Sequence, residues 1–157
     1  MALYVQLSWA FIRNGKNWRE KVLHKGLVPA RAAADLERAA RKACEDAELW
    51  PDPAFLKKIQ QLDELLAIRH CVFVMGPPGA GKTSAWRTLR SARNQLDSSN
   101  KITVMDLNPK VVPTENLYGH ISLATREWKD GLLSVLMRDL GAIPDELPKW
   151  LVLDGDL

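Results

Sequence analysis

Apolar residues along this chain fall into two kinds of pattern. Three short runs are apolar without alternation: CVFVM at 71–75, ITVMD at 102–106 and WLVL at 150–153. Runs of that length predict strands buried on both faces of a sheet. The longer stretches keep helical spacing. Leu36, Ala39, Ala40, Ala43 and Ala47 predict a helix from about Pro29. The stretch WPDP at 50–53 ends it, because proline cannot continue a helix and restricts the residue before it. Phe55, Ile59, Leu62, Leu65, Leu66 and Ile68 predict a second helix over 54–69, with Arg69 and His70 suited to the negative end of its dipole. A third, over 82–95, turns Ala85, Leu89 and Ala92 inward and leaves Arg87, Arg90 and Arg93 on a solvated face. A fourth is expected from a Thr125 cap to about Leu140, through Trp128, Leu132, Val135 and Leu136, with Glu127 and Asp130 in its first turns. Residues 97–100 read as a polar turn, and Pro109 and Pro113 bracket a loop. Residues 1–27 show no clean period.

Strand, helix, strand, helix, strand with short connections predicts an α/β fold, a parallel sheet covered by helices. The expected division is an unassigned segment at 1–28, a helical lead-in at 29–70 and a sheet domain at 71–157. With 157 residues, 46% hydrophobic and 26% charged, the chain is long and apolar enough for a real core, which excludes disorder throughout. A net charge of +3 from 22 basic and 19 acidic residues is too mild to argue for nucleic acid. No apolar run is long enough to span a membrane. The start lacks the basic region and cleavage site of a secretory signal, and its scarcity of serine and arginine argues against a transit peptide. Cys44 and Cys71 have no metal-ligand partner at useful spacing, and Cys71 reads as a buried thiol in a strand.

The chemistry lies between the first strand and the third helix. GPPGAGKT at 76–83 fits G-x-x-x-x-G-K-[ST] in full, with a strand before it and a helix after it. Glycines let the backbone approach an anion and aim successive N–H groups at it, and the helix start adds its positive end. The nucleotide contacts expected are Gly76, Pro77, Pro78, Gly79, Ala80, Gly81, Lys82, Thr83 and Ser84. Lys82 supplies a mobile charge for the β- and γ-phosphates, and Thr83 a hydroxyl for Mg²⁺. Asp154, leaving the end of WLVL, is the expected second magnesium residue. The position after it, where a water-polarising carboxylate would stand, is Gly155; Asp156 lies two residues beyond Asp154. Asp106 is expected to cap the turn after its strand. No residue is expected to act as a catalytic group.

Several segments resemble the dynein heavy chain, and its second AAA+ module in particular: DLNPK at 106–110, LYG at 117–119, TREWKDGL at 125–132, KWLVLDGD at 149–156 and the entry QLDELLAIRHCVFVMGPPGAGKT at 61–83. The resemblance covers 29–157. It implies an AAA+ P-loop sheet at 71–157, ATP with Mg²⁺, and a part in a minus-end-directed microtubule motor. The partners it implies are the other AAA+ modules, microtubules, and dynein intermediate and light chains, with no nucleic acid and no membrane. The implied place is the cytoskeleton, in a ciliary or flagellar axoneme, although SAWRTL at 84–89 is also similar to cytoplasmic forms. The family's second module is thought to bind ATP without turning it over, in keeping with Gly155. The implied sheet order puts a strand from beyond Asp154 between the first and third strands. Without it the chain looks like a fragment whose first and third strands each keep an unpaired edge. Two other readings stand beside this one. A free-standing P-loop enzyme such as a small-molecule kinase would need a lid and an acceptor site after Asp154. A non-catalytic interaction fragment would need no nucleotide.

Overall fold

A computed structural model describes residues 2–7, 30–69, 71–144 and 146–155. The expectations for His70, for Asp156 and for most of 1–28 lie outside these residues. In chain order the elements are β1 (Ala2–Leu7), α1 (Ala30–Asp46), α2 (Pro53–Ile68), β2 (Cys71–Met75), α3 (Lys82–Leu96), β3 (Thr103–Leu107), a 3-10 turn (Pro109–Val111), α4 (Thr114–Tyr118), β4 (Gly119–Ile121), β5 (Trp128–Asp130), α5 (Leu132–Ala142) and β6 (Lys149–Leu153).

The main sheet has the order β2-β1-β6-β3. β3 runs parallel to β6, whereas β1 is antiparallel to both of its neighbours. β2, β6 and β3 therefore share one direction, and the segment that carried no readable period lies between two of them. Val5 sits opposite Val72 on one side and Val152 on the other. The expected pair of unpaired edges is thus corrected: β1 supplies backbone partners to β2 and to β6. The physical reason is that a slot one strand wide presents N–H and C=O groups from both walls, and an extended segment in either direction satisfies them.

Helices α1, α2 and α3 cover one face of this sheet. Ala40, Ala43 and Cys44 of α1, Leu56, Ile59 and Leu62 of α2, and Trp86, Leu89 and Ala92 of α3 close over Val72, Trp150 and Val152. The alanines let α1 lie close along α3. An aspartate, Asp52, caps α2 by accepting from the N–H groups of Ala54 and Phe55. Burial raises the pKa of the Cys44 thiol, partly offset by a hydrogen bond with Thr88.

Burial on both faces holds for β6 but not for β2. Leu151 and Val152 are fully buried, and the buried Lys149 turns its ammonium to the Ile143 carbonyl at 2.8 Å. In β2 only Val72 is buried; Cys71 is exposed, and Phe73 and Met75 are 54% and 77% exposed. The buried thiol is therefore Cys44, not Cys71. An unbroken apolar run does not distinguish a strand covered on one face from one covered on both, and among the described residues α1, α2 and α3 lie over one face at this end of the sheet.

The helix expected from Thr125 is also corrected. Residues 119–130 form a hairpin in which Ile121 faces Trp128, and Thr125 lies in its turn beside Arg126 at a positive φ of 57°. The helix α5 starts only after Gly131. At the hairpin base the chain returns on itself so closely that a Cβ on Gly131 would overlap the Gly119 nitrogen. Asp130 accepts from the Trp128 indole at 2.9 Å and from Arg138, which holds its carboxyl below the usual range. The helical spacing of Trp128 with Leu132 is coincidental, because side chains four apart also flank a strand-to-helix junction.

The polar turn at 97–100 is present. The Asp97 carboxylate accepts from Ser99 Oγ at 2.6 Å and from the side chain and N–H of Asn100, which brings its pKa down to about 2. Its folded pKa lies below the ordinary 3.8, so the turn's contribution is full above that pH and is lost as pH falls toward 2. A carboxyl-detected NMR titration is expected to find Asp97 still mostly ionised at about pH 3. Val5→Pro removes a ladder N–H from a strand bonded on both sides and is expected to lower the thermal midpoint by roughly 6–12 °C or more, the size of a loss of about 3 kcal/mol or more.

Candidate functional site

The loop after β2 exists because two of its glycines adopt a backbone that other residues resist. Gly79 and Gly81 both sit at φ 77°. Gly81 is also the N-cap of α3, and no side chain caps that helix. Its first N–H groups are therefore left to whatever anion approaches. Pro77 to Ala80 are exposed, and Ala80 N–H closes a turn on the Pro77 carbonyl at 3.2 Å. Gly76, Gly81, Lys82, Thr83 and Ser84 are half-buried, the last three in the first turn of α3. Phe55 of α2 backs the loop, 3.6 Å from where a Gly81 Cβ would stand.

Lys82 bends over the loop. Its ammonium donates to the carbonyls of Gly76 at 2.9 Å and Pro77 at 2.8 Å. That grip satisfies two of three ammonium donors and places the charge at the loop mouth. Thr83, one residue on, turns its hydroxyl to Asp154, donating to Oδ1 at 3.1 Å from 71 positions away in sequence. Asp154 in turn is held by its backbone, whose N–H donates to the Leu107 carbonyl at the end of β3 at 2.9 Å. The fold thus brings Thr83 and Asp154 into contact, one residue on from Lys82.

A hydroxyl and a carboxylate side by side are hard oxygen donors of the kind magnesium takes. Among the described residues no cluster of three or more His, Cys, Asp or Glu forms a metal cage. A cation here would keep water or phosphate oxygens for its remaining ligands, which is how Mg²⁺ is usually held.

Two other side chains shape the site without standing out in the sequence. Trp86 donates its indole N–H to Asp154 Oδ2 at 3.3 Å. Its signal is present, since a buried indole needs an acceptor, but along the chain Trp86 reads only as part of an apolar helix. Asn108 caps the 3-10 turn by accepting from Lys110 N–H at 3.1 Å, the task expected of Asp106, which instead lies exposed on β3. The Asn108 amide also fills the space beside Gly155. A Cβ there would meet Asn108 Oδ1 at 2.5 Å.

Of the three arginines of α3, Arg87 and Arg93 are exposed and Arg90 is half-buried. Arg93 pairs with Asp63, its Nε donating at 2.6 Å, and Arg87 lies over the Trp86 ring at 5.3 Å. Arg90 is half-buried and lines a cavity of about 490 Å³ with Arg87, Asn94 and Lys101.

The family described as the hydrolytic ATP binding site of the dynein motor region matches residues 20–83, ending at Thr83. The dynein alpha chain of the flagellar outer arm of Chlamydomonas reinhardtii is 42% identical over 147 residues, covering 86% of this chain. The ciliary dynein beta chain of Tripneustes gratilla and dynein axonemal heavy chain 9 of Homo sapiens are each 45% identical over 130 residues, or 83% of this chain. The chain spans about 3% of the length of each of these relatives.

Lys82→Ala is expected to weaken binding of a fluorescent ATP analogue by about ten- to a hundred-fold, as the loss of a charged hydrogen bond of about 1.5–3 kcal/mol implies. The thermal midpoint without nucleotide should change little, because the ammonium bonds only loop carbonyls. Equal affinity for both forms would remove Lys82 from the site.

Proposed function

The matched part of this chain is dynein heavy-chain motor-region sequence, and from that premise we propose that it builds a module that binds Mg·ATP and hydrolyses it slowly. The observation that carries the reading is the hydrogen bond joining Thr83 to Asp154 beside the Lys82 ammonium, at the mouth of an open loop. The loop N–H groups from Gly79 to Ser84 receive the phosphates, with the start of α3 adding its positive end. Lys82 exchanges its two carbonyls for phosphate oxygens. Thr83 and Asp154 hold the magnesium, the carboxylate directly or through water. When bound, Mg²⁺ neutralises charge on the β- and γ-phosphates.

Slow hydrolysis rests on the residue next to Asp154. Phosphoryl transfer to water needs a group that orients the attacking water. Gly155 offers no side chain, and the Asn108 amide stands where one would begin. The matched family is described as hydrolytic, but that match stops at Thr83 and does not reach Asp154 or Gly155.

In the whole heavy chain this module is assigned to the second AAA+ position, on the sequence segments at 61–83, 106–110, 125–132 and 149–156. It serves as a nucleotide-held element of a minus-end-directed microtubule motor, in contact with neighbouring AAA+ modules. The flagellar, ciliary and axonemal names of the relatives support a place in the axoneme.

The test is an equilibrium ATP titration followed by single-turnover hydrolysis of labelled ATP. The expected outcome is saturable, magnesium-dependent binding with turnover far below that of an ordinary AAA+ enzyme. Gly155→Glu alone should fold less stably by about 2–4 kcal/mol, since Gly155 sits at φ 156°, which side chains rarely adopt, and Asn108 must leave its bond to Lys110. Gly155→Glu with Asn108→Ala should recover part of that loss and raise the single-turnover rate, toward the hundred-fold or more that a positioned base supplies. Fast hydrolysis by the unaltered chain would overturn the slow-turnover reading, and absence of ATP binding would overturn the whole.

A further inference from the structure

Asp154 is gripped at both oxygens. Thr83 Oγ1 donates to Oδ1 at 3.1 Å and Trp86 Nε1 donates to Oδ2 at 3.3 Å. The two donors lie three residues apart on α3, so one face of one helix presents both. The backbone of Asp154 is fixed separately, by its N–H on the Leu107 carbonyl at 2.9 Å. The terminal torsion of an aspartate is otherwise broad and close to two-fold, so a single donor leaves the carboxylate plane free to turn. Two donors on different oxygens remove that freedom.

We infer that Trp86 is a positioning residue for the magnesium site: its indole N–H fixes the plane of the Asp154 carboxylate, so that the free lone pairs face the cation before the cation arrives. This inference rests on the reading of the site as one for Mg·ATP. The chemistry of the two donors differs in a way that fits the division of labour. A hydroxyl has one donor and two lone pairs, so Thr83 can keep its hydrogen on Asp154 while its oxygen faces the metal. An indole is a donor only and cannot ligate. Trp86 is 2% exposed, so water does not replace its bond, and the ring is locked by the core it shares with Leu89 and Val152. A rigid aromatic body with its one polar atom at the edge of the site is suited to orienting a ligand without competing for the cation.

The test uses the whole chain and separates metal from nucleotide. Trp86→Phe keeps an aromatic ring and removes the N–H. The expected result is that the Mg²⁺ concentration for half-maximal ATP binding rises by roughly ten-fold, the lower end of what outer-shell partners of metal sites contribute. ATP affinity in EDTA should stay within about two-fold, because no phosphate contact is touched. An unchanged magnesium requirement would overturn the inference. A second arm leaves Trp86 in place, and its first half needs no nucleotide. In the ¹⁵N-indole spectrum, the Trp86 resonance is expected to move in Asp154→Ala and to move again when Mg·ATP is added to the unaltered chain. A resonance at the same position in Asp154→Ala would overturn the contact itself. If the unaltered chain binds no ATP while Asp154→Ala still moves the resonance, the nucleotide reading fails and the hydrogen bond survives, so the two failures are told apart.

Discussion

The reach between the loop after β2 and the carboxylate after β6 is set by the width of one strand. Neighbouring strands stand about 4.8 Å apart, so β2 and β6, with β1 between them, are separated by roughly 10 Å. At that spacing the first turn of α3, which springs from the end of β2, arrives over the end of β6. Thr83 then meets Asp154 at hydrogen-bond distance. Direct pairing of β2 with β6 would drive the helix start past the carboxylate, and a wider gap would leave them apart. The site therefore depends on the backbone ladder of β1. Because β1 pairs with both neighbours, the register of Val5 with Val72 and with Val152 fixes how far β6 projects relative to β2, and hence the height at which Asp154 leaves the sheet.

What is legible in the residues depends on how local each signal is. The loop is readable because its glycines, lysine and threonine must be adjacent, and the strand and helix around it declare themselves within a few residues. Asp154 is readable because a charge at the end of an apolar run is itself a local pattern. The helices α1, α2 and α3 fall within one or two residues of their expected bounds for the same reason. The insertion of β1 is not readable, since its period is weak and its partners lie about 70 and 150 positions away. The hairpin at 119–130 escapes a reading of periodicity because Trp128, Leu132 and Val135 mimic one helical face, whereas the deciding constraint is the contact of Gly119 with Gly131 across the hairpin. Cys71 reads as buried because composition reports how apolar a strand is, not how many of its faces are covered.

The grouping around Asp154 also shows why the side chains beyond the motif matter. Lys82 and Thr83 are read from the loop, yet Asp154 is also held by the Trp86 indole and by the Leu107 carbonyl, neither of which belongs to any pattern of catalytic residues. A carboxylate on a strand end has freedom that a motif does not record. Packing removes it, through a helix whose buried face carries one donor aimed outward.

Gly155 is likewise governed by a neighbour outside the motif. A glycine after a strand-end aspartate is open to two explanations: a backbone that needs glycine, or a side chain that is not required. Here the backbone does need glycine, at φ 156°, and the space beside it is filled by Asn108, whose carbonyl oxygen is occupied in holding the Lys110 N–H and so starting the 3-10 turn after β3. The two residues therefore form one unit. The turn that carries the chain away from β3 uses an amide that needs the volume a longer side chain at 155 would take. Restoring a carboxylate next to Asp154 consequently requires a change in the turn as well as at the glycine. A single substitution tests the packing of that turn as much as it tests the chemistry of water activation; the pair of substitutions removes the clash with the turn and leaves the backbone cost at φ 156°.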